Sequence, residues 1–216
     1  SYHTHAVFGL FDANSDGDDL ILGDKRLPML RQQKPKKPGY PNLCLADFVR
    51  PVGKGKDKVG VFATSVDAEL QKAYLHDDYQ RMLSQVLADR LAEGTAEKMH
   101  EEVRRNYWGY APNERLTMEQ THNEQYQGIR PAVGYPSLPD TSINFILNEL
   151  IDMKGIGIRL TESGMMTPHA SVSGLMLAHP GSCYFELGRI GTDQINDYAR
   201  RRGLPVELIR RFLKGV

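Results

Sequence analysis

The stretch from Asp67 to Tyr107 sets the frame for this chain. Leu83, Val86, Leu87, Leu91, Met99 and Val103 recur there at helical spacing, with charged residues between them. That is the pattern of an amphipathic helix with one apolar face. The spacing predicts a helical block divided in two near His76-Asp77-Asp78. Such a stripe has to be covered by another layer of structure, and the flanking segments read as strands that can supply it.

On the N-terminal side, Ala6 to Phe11 reads as a strand, Asp12 to Asp19 as a dense turn signal, and Leu20 to Leu22 as the return strand. Lys25 to Tyr40, basic and proline-rich, reads as a loop, and Asn42 to Val49 and Val59 to Thr64 as short strands around a Gly/Lys turn. Past the helical block, Thr117 and Gln120 have the spacing of a capping box for a short helix ending near Tyr126. Asp140 or Thr141 caps a helix to about Asp152, and Ile158 to Thr161, Ser171 to Ala178 and Tyr184 to Ile190 read as strands. Thr192 or Asp193 caps a helix ending at Gly203, and Pro205 opens a last one that runs to Leu213. Strands come in hairpin-like clusters and helices in blocks, which predicts α+β with antiparallel pairing rather than alternating βαβ units. A hairpin so close to Ser1 implies that Ser1 is not the natural start of the fold.

Charge and composition exclude several classes. The 216 residues include 27 Lys plus Arg and 27 Asp plus Glu. A net charge of zero argues against a general nucleic-acid or membrane-surface binder. The start lacks the regions of a signal peptide, and no apolar run approaches the ~20 residues of a membrane span, so the cytoplasm is the expected compartment. Cys44 and Cys183 read as two reduced, largely buried thiols. Gly53-Lys-Gly-Lys56 lacks the spacing of a phosphate loop, and Gly155-Ile-Gly157 follows a helix and lacks a third glycine. Ala170-Ser-Val-Ser-Gly174 centres on Val172 and so is no nucleophile elbow. His76-Asp77-Asp78 reads as a solvated helix junction, and the arginines at 200–202 and 210–211 as solvated helix faces.

The segment Tyr126-Gln-Gly-Ile-Arg130-Pro-Ala-Val-Gly134-Tyr135-Pro136 is the most informative. Two prolines and two glycines fix an irregular backbone around one arginine and one tyrosine. A guanidinium on a rigid loop can hold a carboxylate through two parallel hydrogen bonds. Backbone groups left unpaired nearby can take a base or an amine. Physics alone leaves open an ordinary surface loop with a structural salt bridge.

Here the sequence resembles a family. Arg130-x-x-x-Gly134-Tyr135 is similar to the S-adenosylmethionine motif of the activation domain of cobalamin-dependent methionine synthases. Cys44-Leu-Ala-Asp-Phe48, Ala88-Asp-Arg-Leu-Ala-Glu93, Tyr107-Trp-Gly-Tyr-Ala-Pro-Asn113, Leu160-Thr-Glu-Ser163, Ala170-Ser-Val-Ser-Gly174 and His179-Pro180 resemble family segments, in family order. The likeness runs from about Val7 to Leu213. It implies an α+β fold, a twisted antiparallel sheet flanked by helices, over a single domain at 1–216 that lacks the family's N-terminal stretch and the Asp contact this supplies.

The resemblance also implies roles. Arg130 would bind the methionyl carboxylate, and the backbone of Ala132 would contact the ligand, next to Gly134 in the motif. Tyr135 would line the site. Tyr184 and Phe185 stand where the family places further contacts, and Glu93 and Glu124 at acidic positions near the site, where a carboxylate suits a ligand with a positive sulfonium. For the two acids the alternative is a helix-surface charge, and for Tyr184 a strand residue packed in the core. The implied function is reductive remethylation of cob(II)alamin within the enzyme that methylates homocysteine. Cobalamin and zinc would belong to other modules, and no catalytic acid, base or nucleophile to this one. The expected partners are the cobalamin-binding domain and a flavodoxin or flavoprotein reductase, with no nucleic acid or membrane. A competing expectation is a docking module that caps the cobalamin domain and recruits the flavodoxin or flavoprotein donor without binding S-adenosylmethionine, its basic C-terminal helices facing an acidic protein.

Overall fold

The computed structural model describes residues 1–35, 37–74 and 76–213. Its main sheet is antiparallel, in the order β3-β2-β1-β4-β7. Strand β1 (Thr4–Asp16) is long enough to have two partners. Thr4 to Ala13 pair with β4 (Asp57–Val66), and Ala13 to Asp16 with β2 (Asp19–Leu22). Strand β3 (Lys25–Pro28) extends the sheet beyond β2, and β7 (Ser171–Met176) beyond β4. A two-stranded ribbon, β5 (Arg159–Leu160) with β6 (Met166–Thr167), lies apart.

The α+β sheet-and-helix architecture agrees with the sequence, while several local expectations do not. Lys25 to Pro28, read as loop, is a strand, because alternate residues such as Leu27 go into the core. Asn42 to Val49, read as a strand, contains the 3-10 turn Leu45–Phe48. Asp47 caps this turn by accepting the Cys44 N–H at 2.8 Å. Tyr184 to Ile190 forms no strand. Cys183 is exposed, whereas Cys44 is buried and its thiol is pushed up to about 12 by desolvation.

The sheet is covered on both faces. Val59, Val61 and Ala63 of β4 and Leu175 point into one core, which also takes Ile143 and Leu147 of α4 (Ile143–Leu150). Phe62, Val172 and Met176 point into the other, against α2 (Asp78–Glu102). Asp77 caps α2 by accepting the Gln80 N–H, so the helical block divides where the sequence predicts. A short α1 (Ala68–Lys72) precedes it. Helix α2 meets the sheet through Ser84, Ala88, Ala92 and Ala96, one small residue every fourth position. This lets the helix approach until Thr64 Oγ1 donates to the Ala92 carbonyl at 3.0 Å. Burying Phe62 completely in this layer contributes about 1.5–3 kcal/mol.

Helix α2 runs on into a π-helical turn, Val103–Tyr107. Helix α3 (Met118–His122) has the predicted capping box but ends four residues short of Tyr126. Helices α5 (Thr192–Arg202) and α6 (Val206–Phe212) form a third core around Tyr198, Ile209 and Phe212. Gly203, with φ 64°, ends α5 as predicted, but Gly191 rather than Thr192 or Asp193 stands at its N-cap, and Pro205 caps α6 instead of opening it.

Candidate functional site

The segment around Arg130 is more regular than its prolines imply. The Ile129 N–H donates to the Leu177 carbonyl and the Leu177 N–H to that of Ile129, both at 2.9 Å. Leu175 N–H donates to Pro131 O at 3.0 Å and Val133 N–H to Ser173 O at 2.8 Å. Residues 129–133 therefore lie along β7 as one more antiparallel strand, which corrects the expectation of an irregular backbone there. Pro131 removes one donor of the ladder, which continues through its carbonyl. Gly174 makes the approach possible, since a Cβ there would stand 2.9 Å from Ala132 Cα and closer still to the Pro131 carbonyl.

The pairing is one-sided, and that creates the site. Residues 129, 131 and 133 spend their backbone groups on β7. In an antiparallel ladder those of the alternate residues then point the other way, to the open edge. The Arg130 N–H on that edge donates to Tyr184 Oη at 2.8 Å. The Ala132 carbonyl takes the Tyr135 N–H at 3.2 Å, closing a turn around Gly134, whose φ is 89°. The Ala132 N–H has no backbone partner among the described residues. Beyond the turn, Asp140 anchors the segment to α5: it accepts Tyr198 Oη at 2.7 Å and the N–H and hydroxyl of Ser142 at 2.8 and 2.6 Å.

Around this edge the structure gathers Glu93, Arg130, Tyr135 and Tyr184. Tyr135 Oη donates to Glu93 Oε1 at 2.6 Å. That hydrogen bond, with burial added, pushes the Tyr135 hydroxyl up to about 12, so it is a neutral donor. Glu93 thus has a side-chain partner in Tyr135, and Tyr184 is 37% exposed and outside any strand rather than packed in the core. Arg130 is half-buried, yet it forms no ion pair with a carboxylate among the described residues. Its neighbour Arg104, by contrast, is fully buried and held bidentately by Glu114, with distances from 2.5 to 3.1 Å. Phe185 turns elsewhere and packs on Phe48, with ring centroids 6.4 Å apart. Glu124 is exposed, with a left-handed backbone at φ 54°, two residues from Tyr126.

Two participants escape a reading of the sequence. Tyr126 lies under the Arg104 guanidinium, 4.3 Å from its ring centre, and its hydroxyl is 3.3 Å from that of Tyr184. His100, wholly buried near the end of α2, meets the edge of Tyr126 at 5.2 Å and brings Nδ1 within 3.4 Å of Arg130 Nη1. The signal was there: His100 and Arg104 continue the buried small-residue row of α2 at a spacing of four, polar residues where apolar ones belong.

The model of one protein family, vitamin B12 dependent methionine synthase, activation domain, matches residues 1–203. The chain belongs to that family. A solved structure, that of the MetH reactivation domain bound to AdoHcy, is similar to it at 44% identity and a TM-score of 0.92. The match covers 98% of this chain and 70% of that one. The open edge beside Arg130 is therefore a feature of an activation domain from a B12-dependent methyltransferase. No helix among the described residues is long and apolar enough to cross a membrane.

Proposed function

We propose that this activation domain binds S-adenosylmethionine along the open edge at residues 130–135 and presents its methyl group to cobalamin held by another domain. One observation carries the reading: a half-buried guanidinium, Arg130, with no carboxylate partner among the described residues. A charge left so is costly unless a ligand completes it, and the methionyl carboxylate matches its planar fork. The free Ala132 N–H on the same edge offers a donor to the ligand. Glu93, a carboxylate held by Tyr135, complements the positive sulfonium. We keep Glu124, exposed two residues from Tyr126, as a secondary contact, and Phe185, packed on Phe48, as a support of the loop that carries Tyr184. The likeness to a reactivation domain bound to AdoHcy, the demethylated form of the same ligand, supports this assignment.

Cobalamin, when its own domain presents it, supplies the cobalt that accepts the methyl group. This chain's residues bind and orient the donor. In-line transfer needs the reacting atoms about 3–3.5 Å apart, and an edge open on one side can be covered by a flat cofactor where an enclosed pocket could not. We assign no catalytic nucleophile or acid–base role to any of the described residues, and we take the isolated domain to be silent with homocysteine and methyltetrahydrofolate. A flavodoxin or flavoprotein reductase is the proposed electron donor, and the cytoplasm the proposed compartment. For docking that donor, Arg201 and Arg202 are excluded by their partners, Asp19, Asp197 and Asp140. Exposed Arg210 and Arg211 remain.

Calorimetry with S-adenosylmethionine tests the reading. Arg130→Ala should lose roughly 2–4 kcal/mol of binding, because a charge-assisted pair disappears. An unchanged affinity would remove Arg130 from the site, and no binding by either protein would favour a docking-only module.

A further inference from the structure

We propose that His100 is a positioning residue that holds the Arg130 guanidinium in place through Nδ1, in the tautomer that carries its proton on Nε2. The proposal rests on the reading of Arg130 as the carboxylate anchor.

The argument begins with what the two groups can offer each other. A guanidinium has only donors. His100 Nδ1 lies 3.4 Å from Arg130 Nη1, so it can be a partner only as an acceptor. A proton on Nδ1 would set N–H against N–H. The imidazole must therefore be neutral, with its hydrogen on Nε2. Burial, and then the charges of Arg104 and Arg130, hold the pKa of this fully buried ring well below the usual histidine value, so it is neutral. Its Nε2 has no hydrogen-bond partner among the described residues, so the contact with Arg130 is what selects the tautomer. Tyr126 packs edge-on against the ring at 5.2 Å and is itself stacked under Arg104 at 4.3 Å, which restricts the ring.

The consequence for Arg130 is geometric. A half-buried arginine without a carboxylate partner has many rotamers and would lose their entropy on binding. Here its backbone N–H is fixed by Tyr184 and one end of its fork by His100. The rest of the guanidinium stays available for a carboxylate. The histidine orients the arginine without neutralising it, as an aspartate in its place would.

The test uses the whole chain, with S-adenosylmethionine as the probe. His100→Leu should weaken binding about tenfold, and in the Arg130→Ala background it should change it by less than about twofold. His100→Asn, whose amide can place an acceptor near the former Nδ1, should recover most of the loss, and His100→Gln should not. If Arg130→Ala weakens binding and His100→Leu does not, the anchor stands and the positioning role is overturned. Nitrogen NMR of the histidine ring decides the matter even if a variant fails to fold or no ligand binds. Nδ1 should be unprotonated from about pH 7.5 to about pH 5.5 and should shift in Arg130→Ala. A protonated Nδ1, or a resonance indifferent to Arg130, overturns the proposal.

Discussion

Tyr184 accepts the backbone N–H of Arg130 at 2.8 Å, joining a loop to the added strand 54 residues before it in the chain. Its hydroxyl also meets that of Tyr126 at 3.3 Å. The open edge is thus closed at one point by a side chain, and that point lies at the residue that carries the proposed anchor. Tyr184→Phe keeps the ring and deletes the acceptor. It should cost about 0.5–1.5 kcal/mol of stability, speed hydrogen exchange of the Arg130 amide, and lower affinity for S-adenosylmethionine a few-fold. Should the variant bind as tightly as the parent, Tyr184 contributes only its ring.

Gly174 tests the pairing of residues 129–133 with β7. A methyl group there would meet the Pro131 carbonyl and Ala132 Cα. Both are backbone, so neither can give way by rotating. Gly174→Ala should therefore destabilise the domain by about 1–3 kcal/mol, the usual cost of forcing extra volume into a packed contact. It should also weaken ligand binding, because the edge that carries Arg130 is pushed off the sheet. Urea unfolding monitored by circular dichroism measures the first effect and calorimetry the second. If stability is unchanged, the segment does not lie on β7.

How far the sequence could be read depends on what each contact requires. The helical block and its division at Asp77 were legible because a capping residue and a periodic pattern agree there. The buried face of α2 was not. Periodicity picks out the largest apolar residues, and Leu83, Val86 and Leu87 are 55, 52 and 50% exposed. The sheet instead selects Ser84, Ala88, Ala92 and Ala96, since only small residues allow the backbone approach that Thr64 records. Nearer the helix end, Met99 and Val103 are buried as the pattern predicts. Around the site, the Arg130 to Tyr135 motif was legible through its family resemblance, but its strand character was hidden. Proline and glycine usually mark loops. Here Pro131 sits where one lost donor is tolerated, and the glycine that matters, Gly174, is on the neighbouring strand. His100 was overlooked for a related reason: its polar interruption of the buried row can be interpreted only once Arg130, 30 positions away, is known to stand against it.

The same histidine should leave a mark on stability. Folded His100 resists protonation, because burial and then the charges of Arg104 and Arg130 lower its pKa well below the ordinary value. Unfolded, it titrates near about 6.5. Below that pH the unfolded chain takes up a proton that the folded domain refuses, so the unfolded state is favoured. The sign follows: the contribution is complete above about pH 6.5 and is lost as the pH falls toward the folded value. Between about pH 7.5 and about pH 5.5 the loss should be about 1.4 kcal/mol for this one group. His100→Asn lacks the titrating ring, so its unfolding free energy should fall by that much less over the same interval. Urea titrations of both proteins at the two pH values give the difference directly. Parallel losses in the two proteins would mean that His100 takes up its proton in the folded domain, beside two arginines, and that its neighbours do not hold it neutral.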